Sequence, residues 1–98
     1  MAVNLRKLAK GQICQVRIPF VCNFDEDTTI LAHLRHGGIA GIGMKPPDIC
    51  ACWSCSSCHG VIDRVVPAPL IDIPKCERDG LLRTLNALWG MGYRMVKL

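Results

Sequence analysis

The feature that most constrains this chain is its set of seven cysteines within 98 residues. Cys55 and Cys58 form a C-x2-C pair, whose short gap lets both sulfurs of a tight turn face one ion. Cys14 and Cys22 form a second, wider pair upstream. Four thiolates make a closed tetrahedral zinc site, and separate pairs tie distant parts of a short chain together. The sequence therefore predicts a structural zinc held by Cys14, Cys22, Cys55 and Cys58, with Cys50 and Cys52 as competing ligands.

Metal ligation agrees with the length of the chain and with its first residues. A length of 98 residues predicts a single domain over residues 1–98. Half of the residues are apolar, which allows a small core that needs a metal or disulfides for support. Arg6, Lys7 and Lys10 interrupt the first apolar residues, so we expect no signal peptide, no membrane span and a cytoplasmic location. Thiols stay reduced in the cytoplasm, and an odd cysteine count fits poorly with a disulfide framework.

Other cysteine chemistries stay open at this point. Cys52, Cys55 and Cys58 resemble part of an iron–sulfur run, although the expected following cysteine near a proline is absent. Cys55 to His59 spells the C-x-x-C-H of c-type haem attachment, and a thioredoxin-like redox pair would need a βαβ context that the pattern lacks. For Cys76, and for Cys50 and Cys52 if they are not ligands, the simplest interpretation is a buried small apolar side chain.

Local patterns predict a short helix followed by two strands. Asn4 can cap a basic helix that continues to Lys10 and stops at Gly11. The β-forming residues 28–34 predict a strand, and a second strand covers about residues 49–54. Between them, the segment 37–47 holds four glycines and two prolines, which predicts a loop of the kind that often borders functional sites.

Two further helices are predicted after the second strand. The first covers residues 59–66 and ends before Pro67, and the second ends near Gly90. Apolar residues repeat at helical spacing in both, so we expect these side chains in the core. They are Val61, Ile62, Val65 and Val66 in the first helix and Leu81, Leu82, Leu85, Leu88 and Trp89 in the second.

His33, His59 and Asp63 form a second group of candidate catalytic and metal-ligating residues. His59 and Asp63 lie four residues apart on a predicted helix, so both side chains can coordinate one cation. His33, near the end of the first strand, can take a proton from a water that attacks a phosphodiester while the cation stabilises the leaving oxygen. Alternatively, His59 caps its helix or joins the zinc site, and Asp63 pairs with Arg64 or Arg35.

Positive charge is concentrated at the start of a chain whose formal net charge is +4. The first twenty residues contain Arg6, Lys7, Lys10 and Arg17 and no acidic residue. This end can lie on nucleic-acid phosphates, or it can be an ordinary solvated helix face. The candidate DNA-binding residues are Arg6, Lys7, Lys10, Arg17, Arg35 and Lys45.

Several short motifs, in this order, resemble the YbcO-like family of small phage and prophage proteins. They are Cys14-Gln-Val-Arg-Ile-Pro with Cys22, Leu31-Ala-His-Leu-Arg35, Gly43-Met-Lys-Pro-Pro-Asp48, and Cys55-Ser-Ser-Cys-His59 with Ile62-Asp-Arg64. The resemblance runs from about Leu5 to Gly92. It implies an α+β fold, namely a small zinc-bound treble-clef or ββα-metal (HNH-like) core with flanking N-terminal and C-terminal helices.

The resemblance also implies roles for individual residues. His33 becomes the candidate general base, and Asp48 lies near the position of the residue that orients this base in the HNH motif. The zinc ligands become Cys14, Cys22, Cys55 and Cys58. His59 and Asp63 become candidate ligands of a catalytic divalent cation such as magnesium or manganese. Ala32 departs from the pattern, because many HNH strands place an Asp or His just before the base.

Two classes of function follow from these residues. The first is a metal-dependent endonuclease that cleaves DNA phosphodiester bonds in the bacterial host of a phage or prophage. The second is a catalytically inactive, zinc-stabilised domain that binds DNA or a protein partner. The residue at position 32 discriminates between them. We expect DNA as the main partner and no membrane, and a homodimer stays open.

Overall fold

Two short strands and three helices make up the computed structural model, which describes residues 3–35 and 44–97. Helix α1 is Leu5–Ala9, strand β1 is Ile30–His33, strand β2 is Ala51–Ser54, helix α2 is Ser56–Ile62 and helix α3 is Ile73–Gly90. The predicted α+β class is confirmed. The predicted loop over residues 37–47 lies mostly outside the described residues. In the part of the chain that is described, no helix is both long enough and apolar enough to cross a bilayer.

Side-chain caps set where helix α1 and the turn before β1 begin. Asn4 caps α1, with its side-chain oxygen accepting from the Lys7 N–H at 3.1 Å, and Gly11 takes a positive φ of 79° after the helix. Asp25 caps a 3-10 turn at Glu26–Thr28, so strand β1 starts later than predicted, at Ile30. The short N-terminal helix and both strands are confirmed, with narrower bounds.

Strand β2 lies between two apolar clusters. It pairs antiparallel with β1, so that Ala32 is opposite Cys52 and Leu31 is opposite Trp53. Because successive strand residues face opposite sides, Cys52 packs into the cluster that holds the other buried cysteines, while Trp53 packs with Ala9 of the N-terminal helix. All four residues of β2 are buried.

Helix α3 packs against β2 through a stripe of small and polar residues. The Trp53 N–H donates to the Thr84 hydroxyl oxygen at 3.0 Å, and that hydroxyl donates to the Gly80 carbonyl at 2.8 Å. A Cβ at Gly80 would lie 3.2 Å from the Val16 Cα, so glycine permits this close approach. The buried positions 77, 80, 84 and 88 recur at helical spacing.

This stripe overturns part of the predicted core. Leu88 is buried, Leu81 is half-buried, and Leu82, Leu85 and Trp89 are exposed. The prediction for these three was wrong because Gly80 and Thr84 form the contact face instead of the leucines.

The core predicted for the preceding helix is also only partly correct. Val61 and Ile62 are buried, but Val65 and Val66 are 78% and 48% exposed. Helix α2 ends at Ile62, and Arg64 takes a positive φ of 61°. The chain therefore leaves the helical path before the two valines, which explains the wrong prediction.

Candidate functional site

Four cysteine sulfurs meet where the segment before β1 reaches the start of α2. The Sγ atoms of Cys14, Cys22, Cys55 and Cys58 all lie within 4.8 Å of one another. Cys22 and Cys55 are 3.9 Å apart, and sulfurs in a tetrahedral site with metal–sulfur bonds of about 2.3 Å are roughly 3.8 Å apart. The donor set fits one metal ion. Among the described residues, this is the only such group of three or more His, Cys, Asp or Glu side chains.

Local backbone structure brings the two cysteine pairs together. Cys55 caps α2, and its sulfur accepts from the Cys58 N–H at 3.4 Å. In the first pair, the Cys22 N–H donates to the Ile18 carbonyl at 3.0 Å. Arg17 and Phe20 have positive φ values of 51° and 63°, which fold the longer loop back on itself. This loop explains how the wide gap between Cys14 and Cys22 is compatible with one ion.

Three of these thiols, those of Cys14, Cys22 and Cys58, have pKa values shifted in different directions. A hydrogen bond from the Cys58 thiol lowers the pKa of Cys14 to about 4, although burial opposes the shift. Burial raises the pKa of Cys22 to about 11, and the negative charge of Cys14 adds to the increase. The hydrogen bond to Cys14, followed by burial, raises the pKa of Cys58. A divalent cation supplies the positive charge that several neighbouring thiolates require.

The remaining cysteines stand apart from this group. Cys52 is fully buried, and burial raises its pKa to about 12. It behaves as a buried small apolar side chain, as predicted, and is not one of the four clustered sulfurs. Cys76 is only partly buried but packs against the apolar core cluster, while Cys50 is partly exposed. The C-x-x-C-H histidine, His59, bonds to Asp63 instead of joining the cysteines.

His33 and Asp48 form a hydrogen-bonded pair beside a surface cleft. The Nε2 of His33 lies 2.7 Å from the Asp48 Oδ1, and the His33 side chain is 13% exposed. The hydrogen bond with His33 lowers the pKa of Asp48, and the charge of Arg6 lowers it further. An ionised Asp48 accepts the Nε2–H, which leaves the Nδ1 of His33 as the ring nitrogen with a free lone pair.

The cleft brings together some of the predicted catalytic residues. It has a volume of about 500 Å³ and is lined, among the described residues, by His33, Arg35, Ile62, Asp63, Arg64 and Glu77. His59 is not one of these, but its Nε2 lies 3.0 Å from the Asp63 Oδ2. His59 therefore reaches the cleft only through Asp63.

Sequence reasoning missed the contribution of helix α3 to this cleft. Glu77 is 3% exposed and bonds to Arg64, with 3.3 Å between its Oε1 and the Arg64 Nη2. The sequence pattern indicates Arg64 only as a partner for Asp63. A usable signal was present, because Glu77 lies at helical spacing from Gly80 and Thr84 on a face that carries few charges.

The predicted DNA-binding residues have different local environments. Arg6 lies 3.5 Å from Asp48, and the Arg17 guanidinium donates to the Cys14 carbonyl at 3.1 Å. Arg35 lines the cleft and donates to the Met44 carbonyl at 2.6 Å. All six of these residues are exposed, including Lys7, Lys10 and Lys45.

The family model and the curated relatives that match this chain carry the same family name. A family model described as "Putative nuclease YbcO" matches residues 3–93. Proteins of that name from Escherichia coli (strain K12) and Enterobacteria phage 82 are each 45% identical over 89 residues, covering 88% of this chain and 90% of the relative. A solved structure, of "a putative bacteriophage protein from Escherichia coli str. K-12 substr. MG1655", has a TM-score of 0.68 at 38% identity and covers 89% of this chain and 98% of that one.

Proposed function

This chain belongs to the YbcO family, and from that premise we propose that it is a metal-dependent DNA endonuclease with HNH-type chemistry on a zinc-stabilised core. The relatives' names support a nuclease. The relative from Enterobacteria phage 82 supports a site of action inside an infected bacterial host. DNA is the proposed substrate because the relatives are named as nucleases and exposed lysines, among them Lys7, Lys10 and Lys45, can contact backbone phosphates.

The proposed structural metal is zinc in a treble-clef arrangement. Cys14 and Cys22 come from the loop before the strands, and Cys55 and Cys58 come from the start of α2, which follows directly after β2. Zinc is the usual ion for four closely spaced thiolates, and it lacks redox chemistry of its own. In this role it joins the loop, the β-strand pair and α2 into one unit.

The observation that carries the proposed chemistry is the His33–Asp48 pair at the cleft. Asp48 holds the Nε2–H, so the Nδ1 of His33 accepts a proton from the attacking water. The water oxygen forms a bond to phosphorus, and the bond from phosphorus to the leaving oxygen breaks. Asp63, supported by His59, would hold a divalent cation such as magnesium or manganese, which supplies charge stabilisation for the leaving oxygen.

A second function has one specific observation in its favour. Ala32 precedes the candidate base, is fully buried and lies opposite Cys52. Neither its methyl group nor its burial allows it to contribute a metal ligand to the cleft. A zinc-stabilised domain that binds DNA or a protein partner without cleaving is therefore the alternative.

DNA cleavage by the purified protein distinguishes the two functions. We expect cleavage of plasmid or branched DNA in the presence of magnesium or manganese, and about one zinc per chain by metal analysis. The control is His33→Ala, which removes the base but none of the clustered cysteines. A parent protein that binds DNA but cuts no substrate with any divalent metal would favour the binding domain.

A further inference from the structure

We propose that Arg64 contacts the phosphate beside His33 during cleavage and that Glu77 positions the Arg64 guanidinium for this contact. The inference rests on the nuclease function proposed above. It adds a catalytic residue that lies just after α2 and a positioning residue on α3, neither of which lies in the β-strand pair.

The backbone at Arg64 is the first observation. Its φ of 61° lies in the left-handed region, which non-glycine residues seldom adopt unless the surrounding structure requires it. The Arg64 N–H donates to the Val61 carbonyl at 3.0 Å, so the conformation closes the end of α2. The side chain of Arg64 then lines the same cleft as His33 and Asp63.

The burial of Glu77 is the second observation. Its side chain is 4% exposed, whereas the Arg64 side chain is 49% exposed. A buried carboxylate loses its hydration, and an apolar residue of similar volume often serves stability as well or better. Glu77 nevertheless lies beneath an open cleft, with Arg64 as one of its partners. The arrangement matches a carboxylate that orients a ligand-binding guanidinium.

The hydrogen bonds of Arg64 leave donors for a ligand. Its Nη1 donates to the Ile62 carbonyl at 2.6 Å and its Nη2 donates to Glu77. A guanidinium has five N–H donors, and these two bonds leave the Nε–H and one hydrogen on each Nη. Two anchors fix the plane of the group before any ligand arrives, which lowers the entropy cost of ordering it.

The chemistry of phosphodiester cleavage uses such a group. Negative charge grows on the phosphate oxygens as water attacks, and a guanidinium matches two of these oxygens with parallel hydrogen bonds. His33 accepts the proton of the water at the same cleft, so both residues act on one phosphate. Stabilisation that is stronger in the transition state than in the bound substrate raises kcat more than it lowers KM.

The experiment compares Arg64→Gln, Arg64→Lys and Glu77→Gln with the parent, using the zinc-loaded full chain. Arg78→Gln is the matched control, because Arg78 lies on α3 with a side chain that is 66% exposed. All proteins are assayed on duplex DNA at a temperature where circular dichroism shows them folded. We expect kcat to fall by about 10²-fold in Arg64→Gln, with a smaller change in KM, and to stay unchanged in Arg78→Gln.

The other two variants separate orientation from simple charge. Arg64→Lys keeps the charge without the planar fork, so its kcat should lie between those of the parent and Arg64→Gln. Glu77→Gln should lower kcat by about tenfold while Arg64 stays in place but less well held. If the Arg64–Glu77 pair only joined α2 to α3, the Arg64 and Glu77 variants would melt earlier yet keep the parent's kcat when folded. That result would overturn the inference.

A binding measurement keeps this inference separate from the nuclease proposal. If the parent cuts no DNA, the nuclease function fails, and Arg64 is then judged on binding of a short DNA duplex at several salt concentrations. A phosphate contact predicts that Arg64→Gln flattens the salt dependence by about one unit, whereas Arg78→Gln does not. An unchanged slope in Arg64→Gln would reject the phosphate contact.

Discussion

His33 and Asp48 lie 15 residues apart in the chain, and their side chains meet at 2.7 Å. The pair joins the end of β1 to the segment that leads into β2, so it forms only when the two strands are in register. Because the pKa of Asp48 is lowered by this bond, the carboxylate is ionised at neutral pH and fixes which imidazole nitrogen carries the proton. One strand pairing therefore sets both the position and the tautomer of the candidate base.

The first prediction concerns His33 as the base. His33→Ala should lower the cleavage rate by about two to four powers of ten, because no other group would take the proton from the attacking water. Zinc content, circular dichroism and DNA affinity should match those of the parent. Single-turnover cleavage of duplex DNA measures the effect, and full activity in His33→Ala would assign the base elsewhere.

The second prediction concerns the cysteine ligands. Cys14→Ser and Cys55→Ser should each lose zinc and unfold, because metal binding to four thiolates supplies part of the folding free energy of a small domain. A strong chelator should have the same effect on the parent. Cys50→Ser and Cys76→Ser are matched controls on partly exposed cysteines and should keep about one zinc. Loss of zinc in Cys50→Ser with retention in Cys14→Ser would reverse the ligand assignment.

The cysteine set and the strands could be predicted from sequence because their signals are local. A C-x2-C turn, a run of β-forming residues and Asn4 before a short basic helix each act within a few residues. In the structure, the sulfurs of Cys14 and Cys22 lie beside those of the C-x2-C pair. Cys14 and Cys22 could be proposed from sequence because a closed zinc site needs four ligands and this wider pair upstream supplies the missing two.

The parts that failed depend on contacts between distant segments. Leucine spacing on α3 suggested an apolar face, but the close approach of Gly80 to Val16 and the bond from Trp53 to Thr84 selected a different face. Neither contact leaves a mark in the local pattern. Glu77 was missed for a related reason: its spacing places it on one helix face with Gly80 and Thr84, but nothing in the sequence shows that this face packs beside Arg64.

The third prediction concerns DNA binding by the N-terminal helix. Lys7 and Lys10 are exposed, whereas Arg6 lies near Asp48 and Arg17 bonds to the Cys14 carbonyl. Replacing only the two lysines with Gln avoids disturbing either site. Affinity should weaken on all DNA sequences alike, and the salt slope should fall by roughly one unit for each lost phosphate contact.

The control for this charge removal is the double variant Lys75→Gln with Arg78→Gln on α3. Both residues are exposed and face Asp79, so we expect their loss to leave the salt slope of DNA binding unchanged. Titration of a fluorescent duplex at several salt concentrations measures both slopes. Equal slopes in the two double variants would place the DNA-binding surface away from the N-terminal helix.

The fourth prediction tests how α3 is joined to β2. Thr84→Val keeps the side-chain shape but removes the acceptor for the buried Trp53 N–H. An unsatisfied buried donor costs about 1–3 kcal/mol, so the free energy of unfolding of the zinc-loaded protein should fall by that amount. Thr84→Ser, which keeps the hydroxyl, is the control and should lose less. Equal losses in the two variants would mean that packing of the methyl group, and not the hydrogen bond, stabilises this contact.

The last prediction concerns Ala32, where many HNH strands carry a metal ligand. Ala32 is fully buried in the cluster that contains Cys55 and Cys58, and adjacent strand residues face opposite sides, so His33 points away from it. A carboxylate at this position would lose its hydration and lie close to thiolates of the same charge. We therefore expect Ala32→Asp to lower the free energy of unfolding by at least roughly 2 kcal/mol and to reduce zinc content, without raising manganese affinity at the cleft. Ala32→Ser, of similar size and without charge, should cost less and should keep its zinc. Urea unfolding with metal analysis measures both variants. If Ala32→Asp were as stable as the parent and bound manganese more tightly, its side chain would reach the cleft and the strand would have to twist more than the structure shows.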